Sequence, residues 1–173
     1  MDQTQTADQS LLAALRREAE RIEEDATYSS KSHFNAEDTW VRRHYWLGIP
    51  ATALAAIAGA ALSKSQPEWA SALTLLASLL TGLMTFLKPN ERAAVHRAAA
   101  GQFLTLKNDA RLFREVELLQ TAQAAELPEK LKALSSTRNE LNQKSPSIPR
   151  GAFVAARKGI EEGEATHKVD KKD

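Results

Sequence analysis

The residues of this chain with chemistry in them are four histidines, a few C-terminal glutamates and a stripe of hydroxyls. His33, His44, His96 and His167 are scattered and lack metal-ligand spacing, so each reads first as structural or interfacial, with pH sensing or ligand binding as the functional option. Glu161, Glu162 and Glu164 look like a solvated face rather than an acid/base pair. The chain has no cysteine, which excludes disulfides, thiol nucleophiles and thiolate metal sites and fits a reducing compartment. No glycine-rich phosphate loop is present, because Gly48, Gly59 and Gly82 fall inside apolar stretches. No catalytic constellation emerges, so neither an enzyme nor a cofactor nor a metal is expected.

The hydroxyls and small residues have a clearer pattern. Ala51, Ala55 and Gly59 repeat every four residues, as do Ala70, Thr74, Ser78 and Gly82. Small residues at this spacing let helix backbones approach, within one chain or between chains. Thr74, Ser78, Thr81 and Thr85 also form a hydroxyl stripe. Such a stripe either lines a polar path once several chains assemble, or each hydroxyl bonds back to its own helix. A single pair of helices encloses no channel, so a pore demands a homo-oligomer.

These residues sit on two charge-free stretches, His44 to Ser63 and Trp69 to Leu87, separated only by Lys64, Ser65, Gln66, Pro67 and Glu68. At about 1.5 Å per residue each roughly matches a hydrocarbon core of about 30 Å. The short linker makes the two helices antiparallel neighbours. The second stretch is Leu-rich; the first is Ala-rich, with Pro50 placed to tilt or kink it. Trp46 with Tyr45, and Trp69, stand near the ends where interfacial aromatics belong. The stretches stand out because the whole chain is polar, with mean hydropathy −0.40. A soluble helical bundle is the competing fold, but its helices would carry polar stripes.

Arg42 and Arg43 precede the first stretch; Lys88, Arg92 and Arg97 follow the second. The positive-inside rule then puts both termini in the cytoplasm. Arg42, Arg43, Arg92 and Arg97 are candidate membrane-proximal anion contacts, or else topology determinants beside anionic lipid. A net charge of +1 gives no surface for nucleic acid, and the polar N-terminus carries no cleavable signal pattern.

The remaining chain reads as helices at residues 10–43 and 90–163, followed by a charged, frayed tail at 164–173. Ser10 is placed to cap a first helix carrying Leu11, Leu12, Leu15, Ala19 and Ile22. Tyr28 to His33 (YSSKSH) reads as a turn, with Asn35 and Asp38 opening a new helix into the membrane. A long amphipathic run from Glu91 to about Ala124 places Val95, Ala99, Phe103, Leu106, Ala110 and Phe113 on one face, and needs the N-terminal helix or another copy as partner. A helix from Pro128 to about Asn142 buries Leu131, Leu134 and Leu141. A last helix holds Phe153, Val154 and Ile160 and stops at Gly163. The class is all-α: one domain over 1–173, a two-helix transmembrane hairpin with a cytoplasmic helical bundle.

In order and spacing the chain resembles the SLATT proteins, two-transmembrane effector domains associated with SMODS and SLOG partners in bacterial conflict systems. The resemblance rests on Phe34-Asn35 and Trp40 ahead of LGIP (Leu47 to Pro50), and on FLKPNERAAVHRAAAGQF from Phe86 to Phe103. It continues through the LN..SP.IP..AF block from Leu141 to Phe153, and closes on Gly163 and Val169-Asp170. It implies a bacterial inner-membrane effector of anti-phage defence that oligomerises and permeabilises the bilayer. The trigger would be a nucleotide-signalling partner protein or a cyclic nucleotide. The alternative is a passive membrane anchor or scaffold recruiting a soluble partner through the helix from Glu91, with Phe103 and Phe113 as its docking face.

Overall fold

The computed structural model describes residues 2–64, 66–120 and 125–167, and every element among them is helical. These are α1 (Asp2–Ser63), α2 (Pro67–Leu87), α3 (Pro89–Glu115), a 3-10 turn (Glu117–Leu119), α4 (Leu127–Lys144) and α5 (Arg150–Glu161). The chain divides into two compact units: a body of Met1–Asn35 with His96–Asp173, and an apolar unit of Ala36–Val95.

The expected turn at Tyr28 to His33 does not exist. It lies in the middle of α1, which is a single 62-residue helix. Serine and histidine are only mildly poor helix formers, by a few tenths of a kcal/mol each, and packing within the body overrides them. Ser30, Ser32 and His33 are fully buried, and the Ser30 hydroxyl donates to the Ala100 carbonyl of α3 at 3.0 Å. Asn35 likewise opens no new helix; its Nδ2 donates to the Ala152 carbonyl of α5 at 3.3 Å. Ser10 lies inside α1 rather than capping it, and the helix passes through Pro50 unbroken.

The body has one core. Leu15, Ala19, Ile22 and Ala26 of α1 meet Phe103, Leu106, Ala110 and Phe113 of α3, with Leu118, Leu127, Leu131 and Leu141 closing it. The amphipathic face of α3 thus finds its partner in the N-terminal helix. Val95 is the exception, being exposed. α3 stops at Glu115, short of Ala124, because the next turn swings Leu118 into the core; residues 121–124 lie outside the described residues. α4 begins with Pro128 in its first turn, where a missing N–H is harmless. α5 packs through Ala152, Ala156 and Gly159, leaving Phe153 and Val154 exposed. Gly163 ends the segment with φ +88°, a conformation that favours glycine. The tail beyond His167 lies outside the described residues, as do Val169 and Asp170.

Charges in the body are tied across helices. Arg114 Nε of α3 meets Glu23 of α1 at 3.1 Å, with side chains only 22% and 18% exposed. Arg138 of α4 reaches Asp25 at 3.3 Å, Lys130 reaches Glu117 at 2.8 Å, and Lys31 pairs with Glu164.

In the apolar unit the end of α1 and α2 lie side by side and antiparallel: a Cβ on Gly48 would sit 3.4 Å from Met84, and Leu62 shares a groove with Thr74. Their seam alternates steps of three and four, Ala51, Leu54, Ala58 and Ala61 against Ala70, Leu73, Ala77, Leu80 and Met84, with the alanines at 51, 58, 70 and 77 buried. A three-four alternation of this kind is the pattern of a heptad seam. The four-residue stripes share only Ala51 and Ala70 with this seam, since Ala55 and Gly59 are exposed.

Candidate functional site

Between α1 and α2 an open groove of about 560 Å³ gathers most of the small and hydroxyl residues singled out above. Ala51, Ala55 and Gly59 line it from α1; Thr74, Ser78 and Thr81 line it from α2. Three of its neighbours settle their hydrogen bonds locally. Thr74 Oγ1 donates to the Ala70 carbonyl at 2.8 Å, Thr81 to Ala77 at 2.9 Å and Thr85 to Thr81 at 3.0 Å. Back-bonding of this kind lets a hydroxyl sit in an apolar surface without an unpaired donor. Thr85 stands outside the groove.

Gly59 and Gly82 do not hold the two helices together. A Cβ built on either meets nothing within 4 Å. Their small size creates free surface on the chain rather than close contact inside it.

The four candidate anion contacts separate. Arg43 and Arg92 converge on one indole, their guanidinium carbons 4.4 and 5.0 Å from the centre of the Trp40 ring. Arg92 is oriented from its other side, Nε donating to the Leu87 carbonyl at 2.9 Å at the end of α2. There Lys88 adopts a left-handed conformation, φ 46°, and its N–H closes onto Met84. Arg42 is exposed. Arg97 belongs to the body.

The histidines are less scattered in space than in sequence. His33 on α1 and His96 on α3 are buried with Nδ1 atoms 2.9 Å apart, one ring donating and the other accepting. His33 also stacks on Phe103, ring centres 5.6 Å apart. Burial, reinforced by His96, pushes the His33 pKa from 6.5 down to about 4. Nothing in the spacing of 33 and 96 signals this pair; it depends on how α1 and α3 are aligned. His167 accepts from Arg111 at 2.7 Å. His44 keeps a buried Nδ1 with no partner among the described residues, its ring edge-on to Tyr45 at 5.6 Å. Among the described residues no cluster of three or more ligating side chains could hold a metal.

No protein-family model, curated protein or solved structure matches the chain.

One docking surface expected from sequence is not available. Phe103 and Phe113 are 2% and 1% exposed and fill the core of the body, so no partner reaches them without unfolding it. By contrast, both apolar helices present their hydrophobic side chains outward. Their most hydropathic windows average 1.6 and 1.8, yet only 11% of each is buried.

Proposed function

We propose that this chain is a membrane-inserted effector of the SLATT type, which self-associates in the bacterial inner membrane and permeabilises it on receipt of a signal. The observation that carries the membrane reading is the exposure of Ile57 (55%), Leu75 (74%), Leu79 (60%) and Phe86 (86%). A soluble core helix hides such residues, and a contiguous face of them in water aggregates. In a bilayer each central Leu contributes about −0.5 kcal/mol to insertion, with no charge on either span to oppose it. Exposed Trp46 and Trp69 lie near opposite ends of the pair, where interfacial aromatics belong. The flanking basic residues support a topology with both termini cytoplasmic.

Self-association is supported by the groove. Its floor of Ala55, Gly59, Ser78 and neighbouring hydroxyls is where another helix approaches closely in lipid. The signal, a nucleotide-signalling partner or cyclic nucleotide, is carried by the resemblance alone.

Inducible expression in a bacterium, with membrane potential followed by a voltage-sensitive dye and the protein followed by fractionation, tests the reading. Depolarisation by the wild-type chain, lost in Gly59→Leu and Gly82→Leu, is the expected result. A Cβ at either position meets nothing within 4 Å inside the chain, so a loss of activity with normal insertion and an unchanged melting profile reports contacts between chains. Recovery in the cytosol would end the membrane reading. Membrane-bound protein that leaves the potential intact, even with a nucleotide-signal synthase co-expressed, would favour a passive anchor.

A further inference from the structure

We infer that Arg43, Arg92 and Trp40 form a binding site for the phosphate of an anionic phospholipid headgroup. The inference rests on the membrane reading above. Two guanidiniums are held against one indole, at 4.4 and 5.0 Å. The ring face stabilises each cation, but their mutual repulsion remains, and among the described residues neither pairs with a carboxylate. The carboxylate nearest in sequence, Glu91, is engaged by Lys88 at 3.2 Å. Among the described residues, therefore, no ion pair neutralises either guanidinium of the cluster.

The donors are also set in place. Arg92 spends its Nε on the Leu87 carbonyl, which anchors the side chain and leaves the two terminal amino groups for another acceptor. Arg43 is held by its stacking on Trp40. Planar guanidinium forks match phosphate oxygens in bidentate geometry, which an ammonium does not. Arg42 carries the same charge but touches no aromatic ring, so it lies outside the constellation.

Position favours a lipid over a free phosphate. Trp40 and Arg43 immediately precede the span that opens at His44, and Arg92 follows the span that closes at Leu87. Both ends therefore meet the bilayer at headgroup depth. Tyr45 and Trp46, exposed at 57% and 78%, continue from this cluster as apolar surface for the glycerol and upper acyl region. A soluble anion has nothing to set against that surface.

The test uses the full chain reconstituted into nanodiscs of phosphatidylcholine with increasing phosphatidylglycerol. Lipid retained after gentle detergent extraction is counted by native mass spectrometry. Wild type should retain phosphatidylglycerol selectively, and Arg43→Gln and Arg92→Gln should each weaken retention about fivefold, whereas Arg42→Gln should leave it within about twofold. Arg43→Gln carries the test even if Arg92→Gln, which also loses a helix-end contact, unfolds. Equal losses in all three variants would reduce the site to diffuse surface charge and overturn the inference. Retention abolished by millimolar inorganic phosphate would reassign the site to a soluble anion. A chain that reconstitutes but shows no lipid preference refutes this inference and leaves the membrane reading standing; a chain that never enters the bilayer refutes both.

Discussion

The two units of this protein solve opposite problems with the same element. The body has a core of large side chains: Ile22, Phe103, Leu106 and Phe113 are at most 2% exposed, and serine, histidine and arginine find partners across helices. In the apolar unit only alanines are fully buried along the seam of the two apolar helices, while Ile57, Leu75, Leu79, Leu83 and Phe86 are exposed. Burying large apolar groups is how a helical unit in water offsets the entropy of folding. A unit that buries alanines on its seam and displays leucine forgoes the apolar burial on which a unit in water depends, which is why we propose a bilayer around it. The contrast also locates specificity: the body is held by unlike contacts between particular residues, the apolar unit by the fit of small residues along a seam.

The largest expected effect breaks the comparison at its root. Phe103→Ala should destabilise the detergent-solubilised protein by about 3–5 kcal/mol in a urea titration followed by circular dichroism. Leu79→Ala, removing an outward side chain of similar bulk, should change it by no more than about 0.5 kcal/mol, while weakening bilayer insertion by about 0.5 kcal/mol. Equal destabilisation by the two would mean that the outward leucines pack on protein after all.

Next is the pH response of the body. His33 holds a pKa of about 4 when folded, against 6.5 in the free side chain. Above pH 6.5 both folded and unfolded states carry it neutral, and the body has its full stability. Between 6.5 and 4 the unfolded chain binds a proton that the folded chain refuses, so stability falls as pH falls. The loss levels off below pH 4 at about 3 kcal/mol. His33→Gln, which keeps a hydrogen-bonding side chain, should flatten this part of the profile relative to wild type. An unchanged slope in that variant would assign the acid sensitivity to other groups.

The smallest effect sharpens the description of the apolar unit. Lys88 sits at φ 46° where α2 ends, a backbone conformation that glycine enters without strain. Lys88→Gly should raise thermal stability in detergent by about 1 kcal/mol. Its exposed pairing with Glu91 contributes little to offset that gain. A lower melting temperature would mean that the lysine head makes a contact of more consequence than its backbone strain.

How much of this was legible beforehand depended on whether a feature is local. The two apolar stretches, the amphipathic face of α3 from Ala99 to Phe113 and the stop at Gly163 are written in periodicity and in single residues with special backbone freedom. The continuity of α1 was not legible, because Tyr28 to His33 has turn-like composition, and the contact that keeps it helical is with Ala100, 70 positions away. The His33–His96 pair and the convergence of Arg43 and Arg92 on Trp40 were hidden for the same reason. Their partners lie on different helices, and no spacing within one helix encodes a meeting between two. The small-residue stripe was legible as a face, but not which of its members pack inside the chain: Ala51 is buried, whereas Ala55 and Gly59 are exposed.

By itself, then, the sequence determined that the fold is all-helical, which segments are apolar enough to cross a bilayer, and that no thiol chemistry is present. These follow from composition and periodicity along one strand of chain. Only the tertiary structure decided which faces those helices spend on each other. It buried Phe103 and Phe113, closing an apparent docking face, and left open space where a Cβ on Gly59 or Gly82 would stand. It also joined two histidines and two arginines into groups that do not exist until helices align. Register between helices is set by the packing of many side chains at once, and that sum is not carried by any short stretch of sequence.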